Sequence, residues 1–224
     1  MTSLMDGFVV IFDLDGTLID TIGDLAAAVE HALANKGFPG HDVDEYRRMV
    51  GHGIRNLVTR ALPEGTTEQT IDSCLKDFVE YYTANIDVHS RPYPGIHELL
   101  QKLSAEGVKL AVASNKFQAG TEMLMKRFFP DIPFVRILGN APGLPLKPDA
   151  EVVRLAMVAA GTSRSVMAGD SATDIKTAHN AGIPAIAVTW GFRPREDFGA
   201  AEAVVDTLGE LEKVIIDYSN NNKT

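Results

Sequence analysis

Two carboxylates stand two residues apart directly after a short apolar run. The run spans residues 9–12, and Asp13 and Asp15 follow it, with Gly16 next. Four apolar residues rich in β-branching predict a strand covered on both faces, and a period of two places both aspartates on one side of it. Two like charges this close raise each other's pKa and repel unless they share a cation. The stretch therefore predicts a bound metal ion or a nearby ammonium group.

An Asp-Gly pair also closes many β-hairpins, and a hairpin turn is the alternative interpretation of the same residues. No returning strand follows, however. Apolar side chains recur instead at spacings of three and four residues, as on one face of a helix, at Ile22, Leu25, Val29 and Leu33. We therefore expect a strand, a sharp turn that Gly16 permits, and then a helix.

The overall composition limits the kinds of partner. The chain has 224 residues, of which 45% are hydrophobic, and a formal net charge of −9. This hydrophobic fraction is enough for a sizeable core. A negative chain without a basic run is not typical of proteins that bind nucleic acid or anionic membranes. A small anionic substrate stays compatible, because the local charge of a cleft can oppose the net charge.

The expected compartment is the cytoplasm. Cys74 is the single cysteine, so no intrachain disulfide is possible, which fits a reducing environment. We interpret it as a small core residue. The first apolar run has no basic region before it and soon meets aspartates, so neither a signal peptide nor a membrane span is expected. Residues 219–224 are polar and rich in Asn, and we interpret them as a frayed tail.

Two kinds of pattern divide the chain. Residues 20–92 carry only helical periodicities and end in a segment with two prolines, which stop any helix. Residues 1–19 and 93–218 combine helices with short apolar strands, and this alternation predicts βαβ units and a parallel sheet. The expected fold class is α/β, a Rossmann-like doubly wound parallel sheet with an inserted all-helical cap subdomain.

Polar residues follow three of the predicted strands. Ser114 and Asn115 come after the second strand of the sheet, and Asp170 and Asp174 come after the fourth. Ligands bind at the carboxyl edge of open parallel sheets. We therefore expect these residues to converge with the two aspartates of the first strand.

The expected cluster suits phosphate chemistry. Asp13, Asp15 and Asp170 offer oxygen ligands for a hard cation such as Mg²⁺. Lys147, which alone would be interpreted as a surface lysine, can offset phosphate charge, while the hydroxyl and amide after the second strand can donate hydrogen bonds. Asp13 can attack phosphorus, and Asp15 can protonate the leaving alkoxide and then deprotonate a water molecule.

Four ordered motifs resemble those of the haloacid dehalogenase (HAD) superfamily, and the helical block resembles its first (C1) cap type. The motifs are Asp13-Leu14-Asp15-Gly16-Thr17, Ser114-Asn115, Lys147-Pro148-Asp149 and Gly169-Asp170-Ser171-Ala172-Thr173-Asp174. Other segments look like those of phosphoglycolate phosphatases and their near relatives. These segments are Asp24-Leu25-Ala26-Ala27-Ala28-Val29, Val50-Gly51-His52-Gly53, Tyr93-Pro94-Gly95 and Thr189-Trp190-Gly191-Phe192.

The resemblance implies a role for each motif. Asp13 is the implied nucleophile and a metal ligand, Asp15 is the acid/base and a ligand through its backbone carbonyl, and Asp170 is the third protein ligand, with Mg²⁺ as the cofactor. Asp174 and Thr17 are implied to form a supporting shell. The implied phosphate contacts are Ser114, Asn115 and Lys147.

The cap is expected to close over the site, exclude water and contact the part of the substrate beyond the phosphate. The expected hinges lie near Asp20 and Arg91. His52 and Arg55 are the candidates for contacting that part of the substrate. The alternative is that the glycines beside His52 only cap helices and that its side chain faces solvent.

The expected function is that of a Mg²⁺-dependent phosphatase that hydrolyses a small phosphate monoester, 2-phosphoglycolate first, through an aspartyl-phosphate. The alternatives are a phosphosugar mutase or pyrophosphatase of the same superfamily, a phospho-accepting signalling domain, and a binding or scaffolding module. Asp15 favours phosphate chemistry, because dehalogenases of the superfamily lack that carboxyl. It also favours hydrolysis over signalling, and Thr17 favours hydrolysis over mutase action.

Overall fold

The computed structural model of the chain describes residues 7–221. In chain order its strands and α-helices are β1 (Val9–Phe12), β2 (Ile19–Asp20), α1 (Ile22–Ala34), α2 (Val43–Met49), α3 (Ile54–Ala61), α4 (Glu68–Ala84), β3 (Arg91–Pro92), α5 (Ile96–Ala105), β4 (Lys109–Phe117), α6 (Gln118–Phe128), β5 (Phe134–Asn140), α7 (Glu151–Ala160), β6 (Ser165–Gly169), α8 (Ala172–Asn180), β7 (Ala185–Val188), β8 (Ala203–Val205) and α9 (Leu208–Asn221). A short 3₁₀ turn, Arg195–Phe198, precedes β8. Among the described residues no helix is both long and apolar enough to cross a membrane.

Six parallel strands form the central sheet, in the order β5, β4, β1, β6, β7, β8. β1 lies between β4 and β6, so that Val10 has Leu110 on one side and Val166 on the other. Strand order changes direction at β1, which is where ligands bind in sheets of this type. The predicted α/β class with a Rossmann-like parallel sheet is confirmed.

Helices cover both faces of the sheet. Val10 and Phe12 belong to a large apolar cluster that includes side chains of α5, α6 and α9, whereas Val9 and Ile11 belong to a second cluster with α7 and α8. All four side chains of β1 are fully buried. A central strand covered on both faces needs apolar residues at every position, which explains the uninterrupted apolar run.

Helices α1 to α4 lie between the first strand and the rest of the sheet in sequence and pack on one another. The buried face of α4 carries Ile71, Cys74, Phe78 and Tyr82, which recur at spacings of three and four residues. Cys74 is fully buried, as predicted. The large cluster that fills one side of the sheet extends into these helices, so the helical block and the sheet share apolar contacts.

The two chain crossings between the helical block and the sheet pair with each other. β2 and β3 form a two-residue antiparallel ribbon in which Asp20 lies opposite Arg91. Just beyond it, the Asp24 carboxylate accepts the main-chain N–H of Ser90 at 2.8 Å and its hydroxyl at 2.7 Å. No strand was predicted here, because two residues are too few for a period-two pattern.

Helix α9 continues through part of the predicted tail. Ser219 is fully buried and follows the buried Leu211 and Ile215 at spacings of four residues. Its hydroxyl donates to a carbonyl one turn earlier, which satisfies the polar group. The prediction of a frayed tail is therefore wrong for residues 219–221. Residues 222–224, like residues 1–6 of the predicted core, lie outside the described residues.

Candidate active site

The carboxyl ends of the strands bring the predicted polar residues together. Asp13 directly follows β1, Asp170 directly follows β6, and Lys147 lies in the loop between β5 and α7. All three side chains are buried. They line a cavity that opens to solvent, together with Asp15, Ser114, Asn115, Lys116, Ser171 and Thr173. The cavity lies at the sheet edge where the strand order predicts a ligand.

Lys147 joins two of the carboxylates. Its Nζ atom lies 2.7 Å from Asp13 Oδ1 and 2.7 Å from Asp174 Oδ1. The interpretation of Lys147 as a surface lysine is therefore wrong, since only 3% of its side chain is exposed. Although burial opposes its charge, attraction to Asp13 and then to Asp174 raises the pKa of Lys147. A fixed ammonium group thus lies next to Asp13.

Three buried carboxylates converge beside this lysine. One oxygen from each of Asp13, Asp170 and Asp174 lies within 4.8 Å of the other two. Burial, and then repulsion from Asp174, raises the pKa of Asp13 to about 7. Burial, and then repulsion from Asp13, raises the pKa of Asp170 well above its ordinary value. The cluster therefore carries more negative charge than Lys147 offsets, and a cation would relieve it.

Glycines and main-chain groups enclose these carboxylates. Gly16 has φ +84°, and a Cβ atom there would lie 2.2 Å from Asp170 Oδ2. A Cβ atom on Gly191 would lie 2.3 Å from the same side chain. The main-chain N–H of Phe192 donates to Asp170 Oδ2 at 2.6 Å. The tight enclosure and the oxygen-only donor set fit a small hard cation, which confirms that these residues could hold a divalent metal ion.

Asp174 is oriented by the start of α8. Ser171 is the N-cap of this helix, and its hydroxyl donates to Asp174 Oδ2 at 2.6 Å. The reciprocal capping box fixes the side chain at the third helical position. The other oxygen of Asp174 is the one that accepts from Lys147. The resemblance implied a supporting role for Asp174, and the structure places it in direct contact with the lysine.

The Asp15 carboxylate has hydrogen-bond partners that the other three carboxylates do not share. It accepts from Thr21 Oγ1 at 2.7 Å and from Lys116 Nζ at 3.0 Å. Lys116 is buried, and its ammonium group lies 4.7 Å from the centre of the Tyr82 ring on α4. No role was predicted for Lys116. Its position next to Ser114 and Asn115, at the end of a strand that enters the site, could have indicated that Lys116 belongs to the site.

Ser114 and Asn115 lie where the register of β4 against β5 shifts, so sheet pairing does not fix them. Ser114 is buried and lines the cavity. The Asn115 amide donates to the carbonyls of Gly51, at 3.0 Å, and of Lys147, at 3.1 Å, and its oxygen accepts the Lys147 N–H at 2.8 Å. The prediction that this amide donates to phosphate needs correction, because both of its hydrogens are committed. The Asn115 side chain instead holds the two loops in place.

Thr17 lies in the turn after the two aspartates. Its side chain is fully buried, and its hydroxyl has no hydrogen-bond partner among the described residues. Trp190 Nε1 donates to the Thr17 carbonyl at 3.1 Å, which connects this turn to the loop after β7. The loop that encloses Asp170 is thereby tied to the turn that carries Asp15.

His52 and Arg55 do not line the cavity. His52 is exposed, and Arg55 binds Glu68 at 2.5 Å and Asp72 at 2.6 Å on α4. The prediction that they contact a substrate is wrong for this arrangement, and the alternative of a solvent-facing His52 is confirmed. The helical block contributes mostly apolar residues and glycines to the cavity wall instead: Leu25, Val50, Gly51, Gly53, Ile54 and Leu57.

Arg193 lines the cavity and was not predicted. It lies in the loop after β7, and its guanidinium donates to the carbonyl oxygens of Arg47 and Val50, and of Arg48 at 3.4 Å. These carbonyls belong to the end of α2 and the loop that follows it. Arg193 thus connects the sheet to the helical block. No strand or helix periodicity covers this loop, so the sequence pattern did not mark it.

The fold and this site define a class of protein. The family model of the haloacid dehalogenase-like hydrolases matches residues 10–188, which is most of the chain, and the chain belongs to this family. It is 39% identical to a phosphoglycolate phosphatase of Mesorhizobium japonicum over 194 residues, covering 84% of this chain and 85% of that protein. It is 34% identical to a phosphoglycolate phosphatase of Caulobacter vibrioides over 219 residues, covering 95% and 92% of the two chains.

Solved structures share the architecture. A crystal structure from Lactobacillus delbrueckii subsp. bulgaricus, provisionally assigned as a phosphoglycolate phosphatase, has a TM-score of 0.88 at 32% identity and covers 94% of this chain and 98% of that one. CbbY from Rhodobacter sphaeroides, solved in complex with phosphate, has a TM-score of 0.78 at 25% identity and covers 91% and 95% of the two chains. The predicted HAD membership is confirmed.

Proposed function

We propose that this chain is a Mg²⁺-dependent phosphatase that hydrolyses a small phosphate monoester, with 2-phosphoglycolate as the favoured substrate. The similarity to phosphoglycolate phosphatases supports the substrate. The observation that carries the chemistry is the buried contact of Asp13 with Lys147, beside Asp170 and below a wall of apolar residues. A reactive carboxylate next to a fixed cation is the arrangement that attack on a phosphoryl group requires.

Asp13 is the proposed nucleophile. Its carboxylate attacks phosphorus, forms an aspartyl-phosphate and displaces the alcohol oxygen of the ester. Lys147, 2.7 Å away, keeps the carboxylate oriented and offsets the negative charge that the phosphoryl oxygens bring. Ser114 lies in the cavity wall, where its hydroxyl can donate to a phosphoryl oxygen. Asn115 acts indirectly in this scheme, because it fixes the Lys147 main chain.

Asp15 is the proposed acid and base. It gives a proton to the leaving alkoxide, and the resulting carboxylate then takes a proton from the water that attacks the aspartyl-phosphate. In this structure its carboxylate is held by Lys116 and Thr21. Lys116 lines the cavity and Thr21 directly follows the β2 crossing, so the two contacts hold the Asp15 carboxylate in the site.

The carboxylates of Asp13 and Asp170 and the backbone carbonyl of Asp15 are the proposed Mg²⁺ ligands, and Asp174 supports them from its contact with Lys147. When bound, the cation supplies positive charge that neutralises the cluster and polarises the phosphoryl group. The chain's own residues provide the nucleophile, the acid/base and the fixed lysine. We assign the neutralising charge to a cation because the site has two buried carboxylates with raised pKa values and because the ammonium group of Lys147 is already bound to Asp13.

We also propose that residues 1–19 and 93–218 form the hydrolase core and residues 20–92 the cap. The paired crossings at β2 and β3 are the proposed hinges, and the cap closes to keep water from the cavity. The contact of Asn115 with the Gly51 carbonyl is one that closure would make. We place the protein in the cytoplasm, where its lone buried thiol at Cys74 stays reduced.

The test is phosphate release from a panel of phosphate esters with Mg²⁺, including 2-phosphoglycolate, sugar phosphates and pyrophosphate. Asp13→Asn should abolish turnover and leave the folded structure intact by circular dichroism, because Asn cannot form the acyl phosphate. Asp217→Asn, on an exposed position of α9, is the matched control and should retain activity. Turnover by the Asp13→Asn protein would contradict the assignment of the nucleophile.

A further inference from the structure

Among the described residues, the cavity wall holds three cations, and one of them forms no ion pair with a carboxylate. Lys116 lies 3.0 Å from Asp15, and Lys147 lies 2.7 Å from Asp13. Arg193 forms no ion pair with a carboxylate in the part of the chain that the structure describes. Its charge is therefore available to a ligand, whereas the other two cations are already neutralised.

Arg193 lies between two parts of the cavity wall. One part, the floor, carries Asp13 and Asp170, and the other, the roof, is formed by the helical block. On the floor side, the preceding residue, Phe192, donates its N–H to Asp170. On the roof side, the Arg193 guanidinium donates to the Val50 carbonyl, and a Cβ atom on Gly51 would lie 3.5 Å from Nη2. The guanidinium thus lies in the cavity wall between the main chain that contacts Asp170 and the main chain that follows α2.

The direct hydrogen-bond partners of Arg193 do not neutralise its charge. They are neutral main-chain carbonyls at the end of α2, and a guanidinium has five N–H donors in a planar fork. Asp170 attracts the guanidinium without forming an ion pair with it, and a partly buried charge that lacks a directly bound counter-ion favours binding of an anion. The residues that the helical block contributes to the cavity wall, Leu25, Ile54 and Leu57 among others, are apolar or glycine, so within residues 7–221 they offer an anion no other charged group.

We propose that Arg193 binds a carboxylate that the substrate carries beyond its phosphoryl group, and that it makes the site selective for small phosphorylated carboxylic acids. The inference rests on the proposed function and assigns its substrate selectivity to one residue. A forked guanidinium matches the geometry of a carboxylate better than a lysine does. Because the same group also holds carbonyls of the α2 end, binding of the carboxylate takes place where the helical block meets the sheet.

The test compares 2-phosphoglycolate with 2-hydroxyethyl phosphate, an ester that carries a neutral hydroxyl group in place of the carboxylate. In the Arg193→Met protein, kcat/KM for 2-phosphoglycolate should fall about 10- to 100-fold, the range for a lost bond to a charged group, while kcat/KM for 2-hydroxyethyl phosphate should fall less than about threefold. Arg193→Lys should give intermediate selectivity. Arg195→Met is the matched control, since Arg195 is exposed and binds Asp206, and it should leave both substrates unchanged.

The ratio of the two kcat/KM values separates recognition from closure of the cap. Equal losses for both esters would mean that Arg193 only holds the helical block, and this would overturn the inference, as would no loss for either. If the wild-type protein does not hydrolyse 2-phosphoglycolate, the proposed function fails on its own. Arg193 is then judged on a second pair, 3-phosphoglycerate and glycerol 1-phosphate, and a wild-type protein with no preference for the acid overturns the inference.

Discussion

Replacement of Asp170 by Asn tests whether the acidic cluster is a cation site. Asp170 is 3% exposed, and its carboxylate meets two others without a lysine contact of its own. The Asn side chain has nearly the same shape and can still accept the Phe192 N–H. We therefore expect Asp170→Asn to make the metal-free protein more stable and to remove its response to Mg²⁺.

The magnitude follows from the separation of the charges. Two charges 4.8 Å apart, the upper bound within the cluster, repel by about 3 kcal/mol at an effective dielectric constant of about 20. Lys147 offsets part of the repulsion from its two partners. The folded protein avoids the remainder by keeping a proton on Asp170, at a cost no larger than the repulsion avoided, so we expect a gain of up to about 2 kcal/mol in the free energy of unfolding. For a chain of this size the upper value corresponds to a rise in Tm of about 4 to 8 °C.

The assay is thermal unfolding with a chelator and with excess Mg²⁺. Mg²⁺ at about 100 times its Kd should stabilise the wild-type protein by about 2.7 kcal/mol and the variant far less, so the order of the two Tm values should reverse. The pH dependence gives a second readout. Because the folded metal-free protein keeps a proton on Asp170 that the unfolded chain has lost, its stability should fall as the pH rises from the ordinary Asp pKa towards the raised one.

The variant should lack this contribution to the pH slope. Asp217→Asn, at an exposed position, controls for loss of a negative charge and should change Tm by less than about 2 °C in either condition. Equal destabilisation of Asp170→Asn with and without Mg²⁺ would refute the reasoning, because Asp170 would then serve the fold through its hydrogen bond alone.

Two further predictions concern residues outside the cluster. Glu202→Gln should destabilise the protein at pH 7 by about 1 kcal/mol, a value discounted for partial exposure, because Gln lacks the charge that strengthens the bond accepted from the Ala185 N–H at 2.8 Å. Although partial burial opposes ionisation, this bond and then His179 lower the pKa of Glu202, so the stabilisation is present above the ordinary pKa and is lost as the pH falls through the lowered one. Urea unfolding of the wild-type and Glu202→Gln proteins at pH 7 and at a pH below the lowered pKa measures the difference in stability. A difference that grows in acid would contradict the prediction. Arg55→Met should leave kcat/KM within about twofold of wild type, since Arg55 binds Glu68 away from the cavity; a selective loss for one substrate would show that it reaches the site.

The residues at strand ends could be predicted because their signal is local. An apolar run that stops at Asp13 fixes both the end of the strand and the side on which the carboxylate lies. The same reasoning places Asp170 after β6, and the parallel sheet then brings the two together. Lys147 gave no such signal, because it lies in a loop where no periodicity sets direction. Its charge suited the expected phosphate chemistry, and the resemblance of its motif added a role as a phosphate contact.

The residues of the cavity wall could not be predicted from periodicity. Arg55 and Arg193 are both arginines next to glycine-containing segments, but Arg55 turns towards Glu68 and Asp72 on α4, which are distant in sequence. Arg193 finds carbonyls at the end of α2 instead. These choices depend on how α2, α3 and α4 pack, and that packing is not encoded in the spacing around either residue.

The charge balance of the site explains how an acidic protein can bind an anion. The cavity and the ion pairs beneath it contain four carboxylates and three cations among the described residues: Asp13, Asp15, Asp170 and Asp174 against Lys116, Lys147 and Arg193. The formal balance is one negative charge, which would repel a phosphate dianion. A divalent cation changes the local sign to positive in a chain of net charge −9. The affinity for the substrate should therefore depend on the metal ion, even though the metal ion does not contact the substrate's carboxylate.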